Sequence, residues 1–326
     1  MDLKYKHQNS EIINFAKQVI QDEINAIKQI EINNNFILAV KEMLNCRGQI
    51  IFIGIGKSGD IAKKIAATFV STGTPAIFLH ATEALHGGLG IIRSHDIVFA
   101  ISNSGNTIEL LKLLPSIKNK KINLFAITNN KQSTLALNAD IHFNLNITKE
   151  ACPLNLAPTN SSTASLVLGD ALAMSILKIR GFTKEQFAIF HPDGILGKKL
   201  LLKVEHIMRR DKQIPVVHEN ILLKDALIEM SVKSLGGLFI TDNGGKLKGV
   251  FTDGDLRRCL QKINNLDLDI KNFITKNPKT IFATTLAIEA LKFMQKNKIL
   301  TIPVIDKKQN LIGVIHIHDI LQQGLK

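Results

Sequence analysis

The sequence predicts an open α/β fold with a doubly wound parallel sheet and N-terminal helices, followed by a tandem pair of smaller α+β units. Three observations carry this. Short runs apolar on both faces alternate with helical segments between residues 49 and 145. Two of those runs end in turns rich in glycine, hydroxyls or lysine. The remainder holds an internal repeat, in which Gly249–Leu256 matches Gly313–Ile320 at an offset of 64 residues.

Ser10 is positioned to cap a helix starting at Glu11, where Ile12, Phe15, Val19, Ile20, Ile24 and Ile27 recur at helical spacing. A second helix is expected from about Phe36 to Leu44. Gln49–Ile53 reads as a strand buried on both faces, hence central and parallel. It leads into Gly54-Ile55-Gly56-Lys57-Ser58-Gly59, which matches the dinucleotide fingerprint G-x-G-x-x-G in strand–helix context. No acidic residue closes the next strand, Pro75–His80, where a ribose would be held. A Walker A reading of Gly56-Lys57-Ser58 would need its first glycine at Ile51. Both nucleotide readings therefore fail. A glycine-rich turn remains, with Lys57 at its tip as a group that reaches a ligand.

Ile97–Ile101 is the next strand, followed by Ser102-Asn103-Ser104-Gly105-Asn106-Thr107 and a helical run, Ile108–Leu114. A helix cap needs one hydroxyl. Three hydroxyls around a glycine, at a helix N-terminus with unpaired N–H groups, suit a phosphate. Strands at Leu124–Thr128 and Ile141–Leu145 complete the sheet. Ligands of such sheets bind at the carboxyl ends of the strands, where Lys57, His80, Ser102 and Thr128 all fall.

The polar segment Thr148–Thr163 precedes a helix expected over Ala164–Ile179. Hydroxyl-rich capping accounts for Ser161–Thr163 but not for Glu150. His191 precedes Pro192 in a further loop. A glutamate and a histidine flanking a phosphate site point to proton transfer. After Leu201 each repeat unit reads helix–strand–turn–strand–helix, with Thr252, Asp253 and Asp255 at a strand-to-helix junction that suits ligand binding.

Composition excludes several classes. The 326 residues are 45% hydrophobic and 21% charged, ordinary for a globular protein. No apolar run long enough for a bilayer is evident, and Glu11, Asn14, Lys17 and Gln18 interrupt any signal-like region, so a cytoplasmic protein without membrane contact is expected. Three scattered cysteines argue against a disulfide framework. The net charge of +13 is spread along the chain, without a basic tail, and there is one Tyr and no Trp, so nucleic acid is not the expected partner. A small anionic substrate fits better.

Residues from about 36 to 200 resemble a sugar isomerase (SIS) domain, on Gly54–Gly59, Ala81-Thr82-Glu83-Ala84-Leu85-His86-Gly87 and Ser102–Thr107. The repeat resembles a pair of cystathionine-β-synthase (CBS) domains. This order, with Lys149–Leu154, Leu156–Thr159 and Phe251–Arg258, is similar to the D-arabinose-5-phosphate isomerase family. The resemblance implies domains at 1–203, 204–268 and 269–326. It implies interconversion of D-ribulose 5-phosphate and D-arabinose 5-phosphate, supplying the Kdo sugar of lipopolysaccharide. It also implies a homotetramer, no organic cofactor, and inhibition by zinc. It places Lys57, Glu109, Glu150 and His191 at catalytic positions, Gly73, Thr74, His80 and His86 at substrate contacts, and His80 at a metal contact. It implies a nucleotide at the repeat pair. Thr82 departs from the family's proline, Gly88 from its aspartate, and Asp193 from its glycine.

Aldose–ketose isomerisation needs a base that moves a proton through an enediol, an acid for the oxygens, and a group that stabilises negative charge. Glu150 or Glu109, His191 and Lys57 supply these parts, with Ser102, Ser104 and Thr107 as the phosphate anchor. Two alternatives stand beside this reading: a related isomerase of another sugar phosphate, and a sugar-phosphate-sensing regulator.

Overall fold

Alternate residues of the early strands are buried on opposite faces, which decides the layers. The strands are β1 (Ile50–Gly54), β2 (Ala76–His80), β3 (Ile97–Ile101), β4 (Asn123–Thr128) and β5 (Ile141–Asn144). Ile50 and Phe52 join one core with Phe69, Phe99, Phe125 and Phe143. Ile51 and Ile53 join the other, with Val98, Ala100, Leu124 and Ala126. In this computed structural model, which describes residues 3–326, all five strands are parallel in the order β2-β1-β3-β4-β5. The carboxyl ends share one edge. The winding reverses between β1 and β3, so the crevice expected to hold a ligand opens there.

Helices α1 (Leu3–Lys28), α2 (Asn34–Asn45) and α3 (Gly56–Ser71) are followed by α4 (Ala81–Leu85), α5 (Ile108–Leu111), α6 (Leu114–Asn119) and α7 (Thr134–Asn138). α2 and α3 cover the phenylalanine face; Ala81, Leu110, Leu114 and Leu135 of α4–α7 cover the other. Ser10 does not cap α1, which already runs through it: nothing between Leu3 and Asn9 is a glycine or proline that would stop the helix. Much of the amphipathic stripe of α1 is exposed within the chain, with Ile12 and Ile20 each at 61%.

Helix α8 (Asn160–Arg180) begins four residues before the expected Ala164 and ends at Gly181, left-handed at φ +68°. By length and composition α8 could cross a membrane, contrary to the reading of the sequence. Its apolar character has a local cause, since Ala164, Leu168, Leu172 and Ile176 are buried on the sheet. A Cβ at Gly169 would stand 2.4 Å from Ile65 Cδ1, so α3 and α8 pack in close approach. α9 (Lys184–Phe190) follows.

The chain divides into two compact units, Met1–Phe187 and Ala188–Lys326. The second contains α10 (Ile195–Leu201) and the repeat. One copy is β6 (Val216–His218), α11 (Leu223–Lys233), β7 (Gly237–Thr241), β8 (Leu247–Thr252) and α12 (Asp253–Leu260). After β9 (Thr275–Lys276), the other is β10 (Ile281–Phe282), α13 (Ala287–Asn297), β11 (Thr301–Ile305), β12 (Leu311–His316) and α14 (Ile317–Leu321). The copies meet by reciprocal bonds: Leu247 N–H donates to Gln309 O, and Leu311 N–H to Gly245 O. Their leading segments are exchanged. Thr275 pairs with Val250 of the first copy, while Arg209 pairs with Val314 of the second and grips Asp319 through Nε at 3.1 Å and Nη2 at 2.9 Å. Each copy therefore folds with the segment that leads into the other.

Candidate active site

The turn after β1 is built by its glycines. Gly56 takes φ +55°, and a Cβ on Gly54 would stand 2.9 Å from Gly59 N, so strand and helix nearly touch. Lys57, at the start of α3, has its Nζ 3.5 Å from Asp60, with both side chains about 70% exposed. Such a pair holds the ammonium weakly.

In the turn after β3, Gly105 is left-handed at φ +66°. Ser102 is buried, accepts the Gly105 N–H at 3.0 Å, and meets Thr107 Oγ1 at 2.8 Å. Its hydroxyl therefore shapes the loop from within. Ser104 is exposed and accepts the Asn106 N–H at 3.2 Å, and Thr107 is half-buried. The expected helix breaks after one turn, because Pro115 starts a new helix, α6. One turn carries little of a helix dipole. A phosphate here would be held by loop amides, Ser104 and Thr107.

Glu150 does have a capping role, contrary to the sequence reading. Its Oε2 accepts the Thr159 N–H at 2.9 Å, the Thr159 hydroxyl at 3.1 Å and the Ser161 N–H at 3.2 Å, at the N-terminus of α8. The hydroxyls of Ser162 and Ser165 turn back onto carbonyls of their own segment instead. Burial pushes the Glu150 carboxyl up, but the bonds from Ser161 and Thr159 outweigh it and leave it below the ordinary glutamate value. The carboxylate is thus kept ionised. A cap reaching back from ten residues upstream leaves no local pattern, which is why sequence reasoning missed it.

A narrow cleft lined by Lys57, Ser58, Asn103, Pro158, Ser161 and Ser162 lies where the β1 turn, the β3 turn and the start of α8 meet; Ser104, Thr107 and Glu150 are not in its lining. The sequence gives Asn103 no role of its own and marks Ser161 only as part of a hydroxyl-rich cap. Glu109 lies on the first turn of α5, half-buried, outside that cleft; α5 packs against α4. α4 is flanked by His80 and His86. His80 Nδ1 accepts the Thr82 N–H at 3.3 Å, a bond the family's proline could not make. A Cβ at Gly88 would stand 2.8 Å from Glu83 O, so this chain has little room there for the family's aspartate. Among the described residues no three His, Cys, Asp or Glu side chains gather to hold a metal, and one His80 nitrogen is engaged. His80, Glu83 and His86 do not make a zinc site by themselves.

Gly73 and Thr74 precede β2, at the opposite edge of the sheet from His80, with Arg180 Nη1 bonded to Gly73 O and Thr74 Oγ1. β2 spans roughly 17 Å at strand rise. One copy of the chain therefore does not bring them to the switch-point crevice. Thr128 is fully buried and bonded to Asn130 O and His142 Nε2, so it is structural. His191 belongs to the second unit, in a turn closed by the Gly194 N–H donating to its carbonyl. Asp193 is exposed in that turn.

Between the two repeat copies lies a cavity of about 480 Å³, lined by Gly236, Thr252, Asp253 and Arg257 from one copy and Lys298 and His316 from the other. Asp255 does not line it. Its carboxylate closes a capping box with Thr252 and pairs with Arg258 at 2.5 Å.

Comparison with known proteins agrees with this architecture. The SIS domain model matches residues 43–175, and the CBS domain model matches 204–262 and 270–325. The chain is thus an isomerase-type SIS domain followed by paired CBS domains. It is 47% identical over 315 residues to arabinose 5-phosphate isomerase KdsD of Yersinia pestis, covering 95% of each chain. It is 45% identical over 321 residues to the Pseudomonas aeruginosa enzyme of the same name, covering 98% of each. A solved Escherichia coli CFT073 protein in complex with arabinose 5-phosphate is 41% identical, with TM-score 0.55, over 56% of this chain and 99% of that one. The chain belongs to the arabinose 5-phosphate isomerase family.

Proposed function

We propose that this chain interconverts D-ribulose 5-phosphate and D-arabinose 5-phosphate through an enediol, without an organic cofactor. The observation that carries the reading is its likeness, over 95% of both chains, to an enzyme named for that product. The geometry supports it. The loop with Ser104 and Thr107 takes the phosphate, with Ser102 shaping it. Binding there positions the reacting carbons at the far end of the sugar. Ionised Glu150 takes a proton from C1, exchanges it with solvent, and delivers one to C2. His191 and Glu109 serve the sugar oxygens, and Lys57 offsets the charge of the enediolate. His80 and His86 contact the sugar from the end of β2. Gly73 and Thr74, at the far edge of the sheet, would meet a sugar held by another copy. That fits the homotetramer we propose, for which the exposed α1 stripe offers an apolar face. Incubation with a panel of ketose phosphates, followed by NMR, tests the substrate.

We place the enzyme in the cytoplasm, supplying the Kdo sugar of lipopolysaccharide. Ser104→Ala should raise KM more than it lowers kcat, because a phosphate anchor acts equally in ground and transition states. Steady-state kinetics that do not change would remove Ser104 from the site.

We assign the catalytic domain to 1–203 and the two CBS domains to 204–268 and 269–326. The inter-copy cavity, with Arg257, Lys298 and Asp253, suits an adenine or sugar nucleotide, Thr252 contributing its backbone and Asp255 holding the junction. A 1–203 fragment should keep measurable activity and lose any response to nucleotide. A folded, assembled fragment without activity would mean that the pair completes the active site.

A further inference from the structure

The peptide group just before Glu150 is held on both edges. Its oxygen, that of Lys149, accepts from Asn160 Nδ2 at 2.9 Å. Its N–H, that of Glu150, donates to Asn155 Oδ1 at 2.7 Å. Asn160 is only 4% exposed, and its Oδ1 meets no donor among the described residues. A buried amide oxygen left unpaired is unfavourable. The bond to Lys149 is what Asn160 contributes in return. Asn155 stands left-handed at φ +54°, a conformation asparagine tolerates better than most residues, and its own N–H donates to Cys152 O.

We propose that Asn155 and Asn160 are positioning residues of the isomerase. They set the plane of the Lys149–Glu150 peptide, and with it the direction in which the glutamate side chain leaves the backbone. The donors of Thr159 and Ser161 hold only the tip of that side chain. A carboxylate gripped at the tip alone can pivot; gripped at root and tip, it presents one orientation to the sugar. This rests on Glu150 being the proton-transfer group.

The test is steady-state kinetics of the full chain with D-arabinose 5-phosphate. Asn160→Ala and Asn155→Gly should each lower kcat by roughly tenfold to a hundredfold, the cost of a displaced catalytic group. KM should stay within about twofold, since the phosphate anchor is untouched. Asn155→Gly lies on an exposed loop and keeps the left-handed turn, which glycine adopts freely, so it tests the idea even if Asn160→Ala does not fold. In a Glu150→Gln background neither substitution should lower kcat further, because both act through that side chain. A folded Asn155→Gly variant with wild-type kcat overturns the proposal, as do losses that multiply in the double variants. If Glu150→Gln itself leaves kcat intact, the reading of Glu150 is what fails, and the two failures are distinguished.

Discussion

Glu150→Gln should lower kcat by roughly 10²–10⁴-fold while the protein stays folded, the range a general acid–base group typically supplies. Glutamine can still accept the Thr159 and Ser161 N–H groups, so the start of α8 keeps its cap. It cannot take a proton. His191→Asn should have an effect of similar size, and Glu109→Gln should act on kcat while leaving exchange of the C1 and C2 protons with solvent in place. Loss of that exchange in Glu109→Gln but not in Glu150→Gln would reverse the assignment of the base. The pH dependence follows from the depressed Glu150 carboxyl. As a base Glu150 acts ionised, so the acid limb of kcat/KM should fall below the ordinary glutamate value of about 4.3. The stability sign agrees. A depressed folded-state carboxyl contributes stability above its unfolded value, and this is lost as pH falls through the folded one. In Glu150→Gln that part of the acid sensitivity should vanish.

Gly105→Ala should lower kcat/KM by about two orders of magnitude, the scale of an ångström-level misplacement of a binding loop. Two effects act together. A left-handed backbone is unfavourable for alanine by roughly 1–2 kcal/mol. The new Cβ would also stand 2.1 Å from Ser133 Oγ and 2.5 Å from Ser133 Cβ. Ser133 caps α7, accepting the Ala136 N–H, and the Leu135 N–H donates to Gly105 O. The β3 turn and the start of α7 must therefore move together. Ser133→Gly in the Gly105→Ala background removes the overlap with Ser133 but leaves Thr128 Cγ2 at 3.1 Å and the backbone strain, so it should recover part of kcat/KM. Glycine is itself a tolerable N-cap, so little stability is lost by that second change. No loss in Gly105→Ala would mean that the loop is not the phosphate anchor.

The sheet was legible because parity along Ile50–Ile53 and Ile97–Ile101 is set by local burial on two faces. The repeat was legible because its signal is identity at a constant offset. The limits of α1 and α8 were not, since Ser10 and Ser161–Thr163 look like caps when only their neighbours are considered. What binds the α8 N-terminus is Glu150, from a separate loop. Pro115 is visible in the sequence, but the helical spacing of Ile108–Leu114 masks its effect, which is to end α5 after one turn. Ser102 was readable as a hydroxyl at a strand end. Its burial against Thr107 and Gly105 depends on the closed loop and has no sequence mark. The exchange of leading segments in the repeat is likewise a long-range pairing, in which Arg209 meets Asp319 across 110 residues.

The most direct test is turnover of D-ribulose 5-phosphate in deuterium oxide, followed by NMR. The account predicts D-arabinose 5-phosphate carrying deuterium at C2, formed by the wild-type chain and not, within the same time, by Glu150→Gln. Formation of a different aldose phosphate, or of arabinose 5-phosphate without label at C2, would contradict it.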